Sequence, residues 1–123
     1  MLPSASILLI ENQSNGIEKL QYLSALKQIF IIAAGALTTL GNANGAAILA
    51  QTNQLSNQEF AYQDSIDPIW TNFGNALVAL GQNTYGNNIL TYLKQSGRQQ
   101  ILWIDQIAPL ISDIQKGLAA LGQ

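Results

Sequence analysis

Apolar residues return along this chain in steps of three and four, and they do so three times over. The first run places them at Tyr22, Leu26, Ile29, Phe30, Ala33, Leu37 and Leu40. The second places them at Tyr62, Ile66, Ile69, Trp70, Phe73, Leu77 and Leu80, and the third at Trp103, Ile107, Leu110, Ile111, Ile114, Leu118 and Leu121. That spacing lays each set on one face of a helix. Each run stops at Gly41, Gly81 or Gly122. Glycine takes the left-handed conformation that commonly ends a helix. Gly122 lies next to the last residue, so its turn is expected to fray.

A shorter apolar segment precedes each run, over residues 4–13, 45–54 and 86–95, with an Ile-Leu pair near its start (Ile7-Leu8, Ile48-Leu49, Ile89-Leu90). Polar punctuation follows at Ser14-Asn15-Gly16, Leu55-Ser56-Asn57 and Ser96-Gly97-Arg98. These are expected to be surface turns. Capping-box chemistry then recurs: Asn15 stands three before Glu18, Ser56 three before Glu59, and Ser96 three before Gln99. In such a box the first side chain accepts from a free amide of the first turn, and the second reaches back to the cap amide.

Shifting residues 43–82 by 41 onto 84–123 leaves thirteen identities and no gap. The first third joins after one deletion between residues 15 and 22. The expected fold is therefore all-α, a single domain of three tandem repeats of about 41 residues (1–42, 43–83 and 84–123). Each repeat is a short helix, a turn and a long helix. Pro68 and Pro109 interrupt the long helix in two copies, where copy one has Gln28. Proline removes a ladder hydrogen bond and crowds the carbonyl four residues earlier. The apolar phase runs straight across both, which predicts a kink, or a tight break with Asp67 as cap and Pro68 in the first turn. The break is expected to be clearer at Pro68, since Ala108 is no cap. One such unit cannot bury its own apolar face, so the copies must pack on one another. A bundle and a short solenoid both satisfy that demand.

Composition changes the picture at the surface. Only 10% of the 123 residues are charged, and Asn and Gln together number 25. No charge occurs between Gln28 and Gln58, or between Pro68 and Leu93. An amide-rich face with little self-repulsion favours self-association. The net charge of −2 with five scattered basic residues leaves no footprint for nucleic acid. Residues 29–40 form an uncharged apolar run of about 12, short of the roughly 20 that a spanning helix needs. The first residues lack the basic region of a secretory signal, so export by a classical signal is not expected.

Chemistry is sparse. Histidine and cysteine are absent, which removes the commonest general base, the commonest metal ligand and any thiolate. Capping accounts for Glu18 and Glu59; Asp64 and Asp105 stand four before the prolines, where they suit groups exposed by a bend. The stretch Gly41-Asn42-Ala43-Asn44-Gly45 lacks the Lys-Ser/Thr of a phosphate loop and reads as a turn between helices. Tyr22, Tyr62 and Trp103 share one repeat position, and Phe30 and Trp70 another; at helical spacing they are expected as core anchors. Tyr85 and Tyr92 have no counterparts and suit a copy-specific contact. No catalytic, cofactor or metal site is expected.

The phrases Gly35-Ala36-Leu37-Thr38-Thr39-Leu40-Gly41-Asn42, Gly74-Asn75-Ala76-Leu77-Val78-Ala79-Leu80-Gly81-Gln82 and Lys116-Gly117-Leu118-Ala119-Ala120-Leu121-Gly122-Gln123 resemble those of small uncharacterised helical proteins of spore-forming bacilli. Those proteins repeat Gly-Asn-x-Leu-x-Ala-Ile/Leu-Gly; this chain has Leu or Thr where Gln and Ile are usual. The resemblance implies a bacillus-like host and a spore or surface setting, and it carries no activity. The function expected from all this is a non-enzymatic structural or interaction protein, a homo-oligomer or a partner of another protein. The alternative is a membrane-active helical protein, such as a pore former, toxin or immunity factor.

Overall fold

A computed structural model describes residues 3–17, 22–60, 62–93 and 107–123. Those residues form α1 (Ser4–Ile17), α2 (Tyr22–Thr39), α3 (Asn44–Gln54), the single turn α4 (Asn57–Phe60), α5 (Gln63–Ala79), α6 (Asn83–Leu93) and α7 (Ala108–Ala120). The protein is all-α.

The glycine stops act at all three sites. Gly41, Gly81 and Gly122 have φ of 77°, 87° and 80°, a region that a Cβ makes costly. Around each the same two bonds close the helix. The Gly41 amide donates to Thr38 and the Asn42 amide to Leu37, both at 2.9 Å; Gly81 and Gln82 donate to Val78 and Leu77 at 3.0 and 2.7 Å. Gly122 and Gln123 repeat this on Ala119 and Leu118 at 3.1 and 2.9 Å. This double closure satisfies carbonyls that would otherwise be orphaned. The fraying expected at Gly122 is not seen, because its turn makes both bonds.

After the first two stops the chain doubles back, so α3 packs along α2 and α6 along α5. The third stop is met by α1. The Ala5 amide donates to the Gln123 carbonyl at 3.0 Å, and the Asn12 side-chain amide donates to Ala108 at the other end of α7 at 3.1 Å. These two ties hold α1 antiparallel to α7 without a covalent turn. Ala5, Gly45 and Gly86 are buried at the three crossings, followed three residues later by buried Leu8, Ile48 and Ile89. At two crossings only glycine fits. A Cβ on Gly45 would stand 2.6 Å from the Ala34 carbonyl oxygen, and one on Gly86 would stand 2.6 Å from that of Gly74.

This register corrects three expectations. Leu8, not Ile7, matches Ile48, since Leu8 is buried and Ile7 only half-buried. By burial α1 then precedes α3 by 40 residues, as α2 precedes α5, an offset that needs no deletion between residues 15 and 22. The extra residue lies after the glycine stop instead: the Gly45 amide reaches back three residues to Asn42, and Gly86 four to Gln82. The turn expected at Ser14-Asn15-Gly16 is also absent, because α1 continues to Ile17, and Asn15 is helical rather than a cap.

Nor does Pro68 end a helix. It stands inside α5, which runs unbroken from Gln63 to Ala79. The lost bond would have ended on Asp64, in the first turn, while Ile66, Ile69, Trp70 and Phe73 are buried on both sides of the proline. Burying such side chains contributes about 1.5–3 kcal/mol each, enough to offset a proline cost of roughly 3 kcal/mol. The interruption falls earlier, at Tyr62, which is extended (φ −121°, ψ 137°) between α4 and α5. Pro109 occupies the first turn of α7, where a missing N–H costs nothing.

The core is one cluster centred on Phe30, Phe60, Trp70 and Phe73. Phe30 meets Trp70 edge-on, with ring centroids 4.7 Å apart and planes at 82°, an arrangement that places a positive ring edge on a negative face. Substituting Gly86→Ala is expected to lower stability by about 1–3 kcal/mol through overpacking against Gly74 and Val78. Urea denaturation followed by helical circular dichroism measures it, and an unchanged midpoint would show that the crossing has slack.

Candidate functional site

Of the three capping boxes, one lies wholly within the described residues, and it forms. The Ser56 amide donates to Glu59 Oε1 at 3.0 Å, and the Glu59 amide donates to Ser56 Oγ at 3.2 Å. The backbone bond from Ser56 and the hydroxyl bond hold the Glu59 carboxyl below the ordinary glutamate range. Glu59 is therefore a structural carboxylate. Glu18, Ser96, Gln99, Trp103 and Asp105 lie outside the described residues, so the other two boxes, the third aromatic anchor and the second repeated aspartate do too.

The remaining singled-out residues are distributed rather than gathered. Asp64 sits half-buried in the first turn of α5. Asp113, on α7, accepts from Asn88 of α6 at 3.3 Å. Asn42 caps the turn before α3, its Oδ1 accepting from the Asn44 amide at 2.9 Å, so residues 41–45 serve as a turn. Phe30 and Trp70 are core anchors, as their spacing implies, but Tyr62 is not: it is extended between α4 and α5, which turns its ring outward and leaves it exposed. Tyr85 and Tyr92 are half-buried against the core, which leaves them less available as a contact surface than their isolation in sequence suggests. Among the described residues, no three His, Cys, Asp or Glu side chains cluster to hold a metal ion.

Among the described residues two concavities can be described. The larger, about 450 Å³, runs between α5 and α6 and is lined by Asp67, Thr71, Asn87, Leu90, Thr91 and Leu93. The smaller, about 140 Å³, lies between α3 and α5 against Gln51, Leu55, Ser65 and Pro68. Neither brings together an acid, a base and an oriented nucleophile. What the surface does present is apolar: Leu9, Ile10, Ile31, Leu49 and Tyr62 are all exposed. No described helix is long and apolar enough to cross a membrane.

One buried group escaped the sequence reading. Gln63 is completely buried, and neither atom of its amide has a hydrogen-bond partner; Trp70, two turns along the same face, buries an unpartnered Nε1. The signal was present in the internal comparison, because the positions matching Gln63 hold Leu23 and Ile104. No family model matches the chain, and no curated protein or solved structure matches it either.

Two outcomes follow from these polar groups. Gln63→Leu is expected to raise stability by about 1–3 kcal/mol in urea denaturation, since it removes an unsatisfied buried amide at nearly constant volume. Burial raises the Asp113 carboxyl above its ordinary value of 3.8, against the lowering effects of the Asn88 hydrogen bond and the Lys116 charge. A raised folded pKa gives stability that is full below 3.8 and is lost as pH rises through the folded value. Asp113→Asn is thus expected to be more stable than wild type at pH 7 and equal to it at pH 3, by denaturation at both.

Proposed function

We propose that this chain is a non-enzymatic structural or interaction protein that associates with itself. The observation that carries the reading is the outward placement of Leu9, Ile10, Ile31, Leu49 and Tyr62 on a surface with few charges. Large apolar side chains at solvent-facing positions mark interaction surfaces when charge does not hold copies apart. In this proposal the molecule consists of three repeats of about 41 residues, bent at the prolines and closed as a bundle with α7 against α1. Support comes from the three glycine stops with matching bonds and from the recurring buried positions at the three crossings. The resemblance to proteins of spore-forming bacilli adds a spore or surface setting to the proposal.

A second reading, a membrane-active helical protein, draws on the exposed Ile31 within the uncharged run of residues 29–40. It would act at a lipid surface through partial insertion rather than by a single described helix spanning the bilayer.

Light scattering on a concentration series of the purified protein, with negative-stain microscopy, tests the first reading. The expected outcome is a discrete oligomer or an ordered assembly. A monomer at the highest concentration, with no protein captured from host extract, would overturn it.

A further inference from the structure

The α7–α1 crossing differs in kind from the other two. Residues 40–43 join α2 to α3 and residues 80–82 join α5 to α6, so each of those short helices docks on the long helix that delivers it. α1 and α7 stand at opposite ends of the sequence. Their pairing is specified by contacts alone. The Ala5 amide donates to the Gln123 carbonyl at 3.0 Å, the Asn12 side-chain amide donates to the Ala108 carbonyl at 3.1 Å, and Ala5 and Leu8 are buried. Those contacts fix which residues meet. They do not fix which copy of the chain supplies them.

The passage from α1 into α2 favours a second copy. α3 stops at Gln54, which matches Ser14, and residues 55–62 separate it from α5, with α4 among them. α1 instead runs on to Ile17 and leaves residues 18–21 for the same passage. A short connector makes folding back costly and exchange of the element between copies correspondingly easier.

The outward side of α1 adds an independent observation. Leu9 is 42% exposed and Ile10 51%. Leu9 has leucine counterparts in Leu49 and Leu90, but Ile10 matches Ala50 and Thr91. α1 is thus the short helix that carries two adjacent large apolar residues on its outward side, and its docking on α7 leaves both in water.

We propose that α1 is an exchangeable element, which two copies of this chain trade reciprocally, each laying its α1 along the α7 of the other. The occupant of the α7 seam is settled by complementarity already present: α1 of a second copy carries the same Ala5, Leu8 and Asn12, and remakes the same ties. The two copies then adjoin at α1, where Leu9 and Ile10 meet the partner instead of water. Closure within one chain competes with exchange, so raising the concentration favours the exchanged pair. The inference rests on the self-association proposed above and gives it a mechanism.

The chain has no cysteine, so introduced thiols report on chosen pairs. Ala5→Cys and Gln123→Cys are prepared as separate proteins, mixed at high concentration, incubated and oxidised, and mass spectrometry identifies the crosslinked pairs. A disulfide joining the two variants is expected, with a yield that rises with concentration. Asn53→Cys, exposed near the end of α3, is expected to give none with Gln123→Cys. Asn12→Cys mixed with Ala108→Cys reads the other end of the seam should circular dichroism show Ala5→Cys unfolded. In sedimentation velocity Ile10→Lys is expected to weaken association at least tenfold while leaving the melting temperature of the dilute protein unchanged. If wild type associates but positions 5 and 123 crosslink only within one chain of the double variant, exchange is wrong while self-association stands. If wild type is monomeric at the highest concentration and the mixed variants give no crosslink, both are overturned.

Discussion

Close backbone approach at the helix crossings is the constraint on which the rest of the molecule depends. At Gly45 and Gly86 the second helix of a pair comes so near the first that any side chain would strike a carbonyl oxygen. That proximity turns a narrow stripe of small residues into a buried seam. It also brings Ile48 and Ile89 down onto the core. The glycine stops complete the device by ending one helix with its carbonyls satisfied and releasing the chain in a direction that lets the next return. Helices of 11 residues such as α3 and α6 are too short to persist alone in water. Here the crossing holds them.

The α7–α1 contact meets the same requirement by other means. Ala5 stands where the other pairs have glycine, and a backbone hydrogen bond from Ala5 to Gln123 stands where they have a covalent turn. A second tie from Asn12 to Ala108 fixes the far end. Neither tie is strong, since a typical hydrogen bond contributes only about 0.5–1.5 kcal/mol net. Orientation is therefore set mainly by Ala5 and Leu8, buried on α1, against the apolar face of α7.

Much of this was legible in the residues. Helical spacing, glycine stops and the Ser56–Glu59 box depend on local chemistry, and local chemistry is written in short stretches of sequence. The errors arose where tertiary contacts decide. Ile7-Leu8 resembles Ile48-Leu49 by residue type, yet burial aligns Leu8 with Ile48, and residue identity alone carries no phase. Pro68 looked like an interruption because proline acts locally, whereas the burial that carries α5 through it comes from residues on other helices. Gln63 was overlooked because one glutamine among 25 amides draws no notice. Only the neighbouring copies, with Leu23 and Ile104 at that position, make it unusual.

The candidate surface was less legible, for a related reason. A run of apolar residues such as 29–40 mixes positions that face inward with positions that face outward, and sequence sums over both. Ile29 and Phe30 are fully buried, whereas Ile31 is exposed; as a composition they merely read as hydrophobic. What separates them is the helix phase set by the crossings. The same constraint that buries the seam therefore decides which apolar residues remain outside.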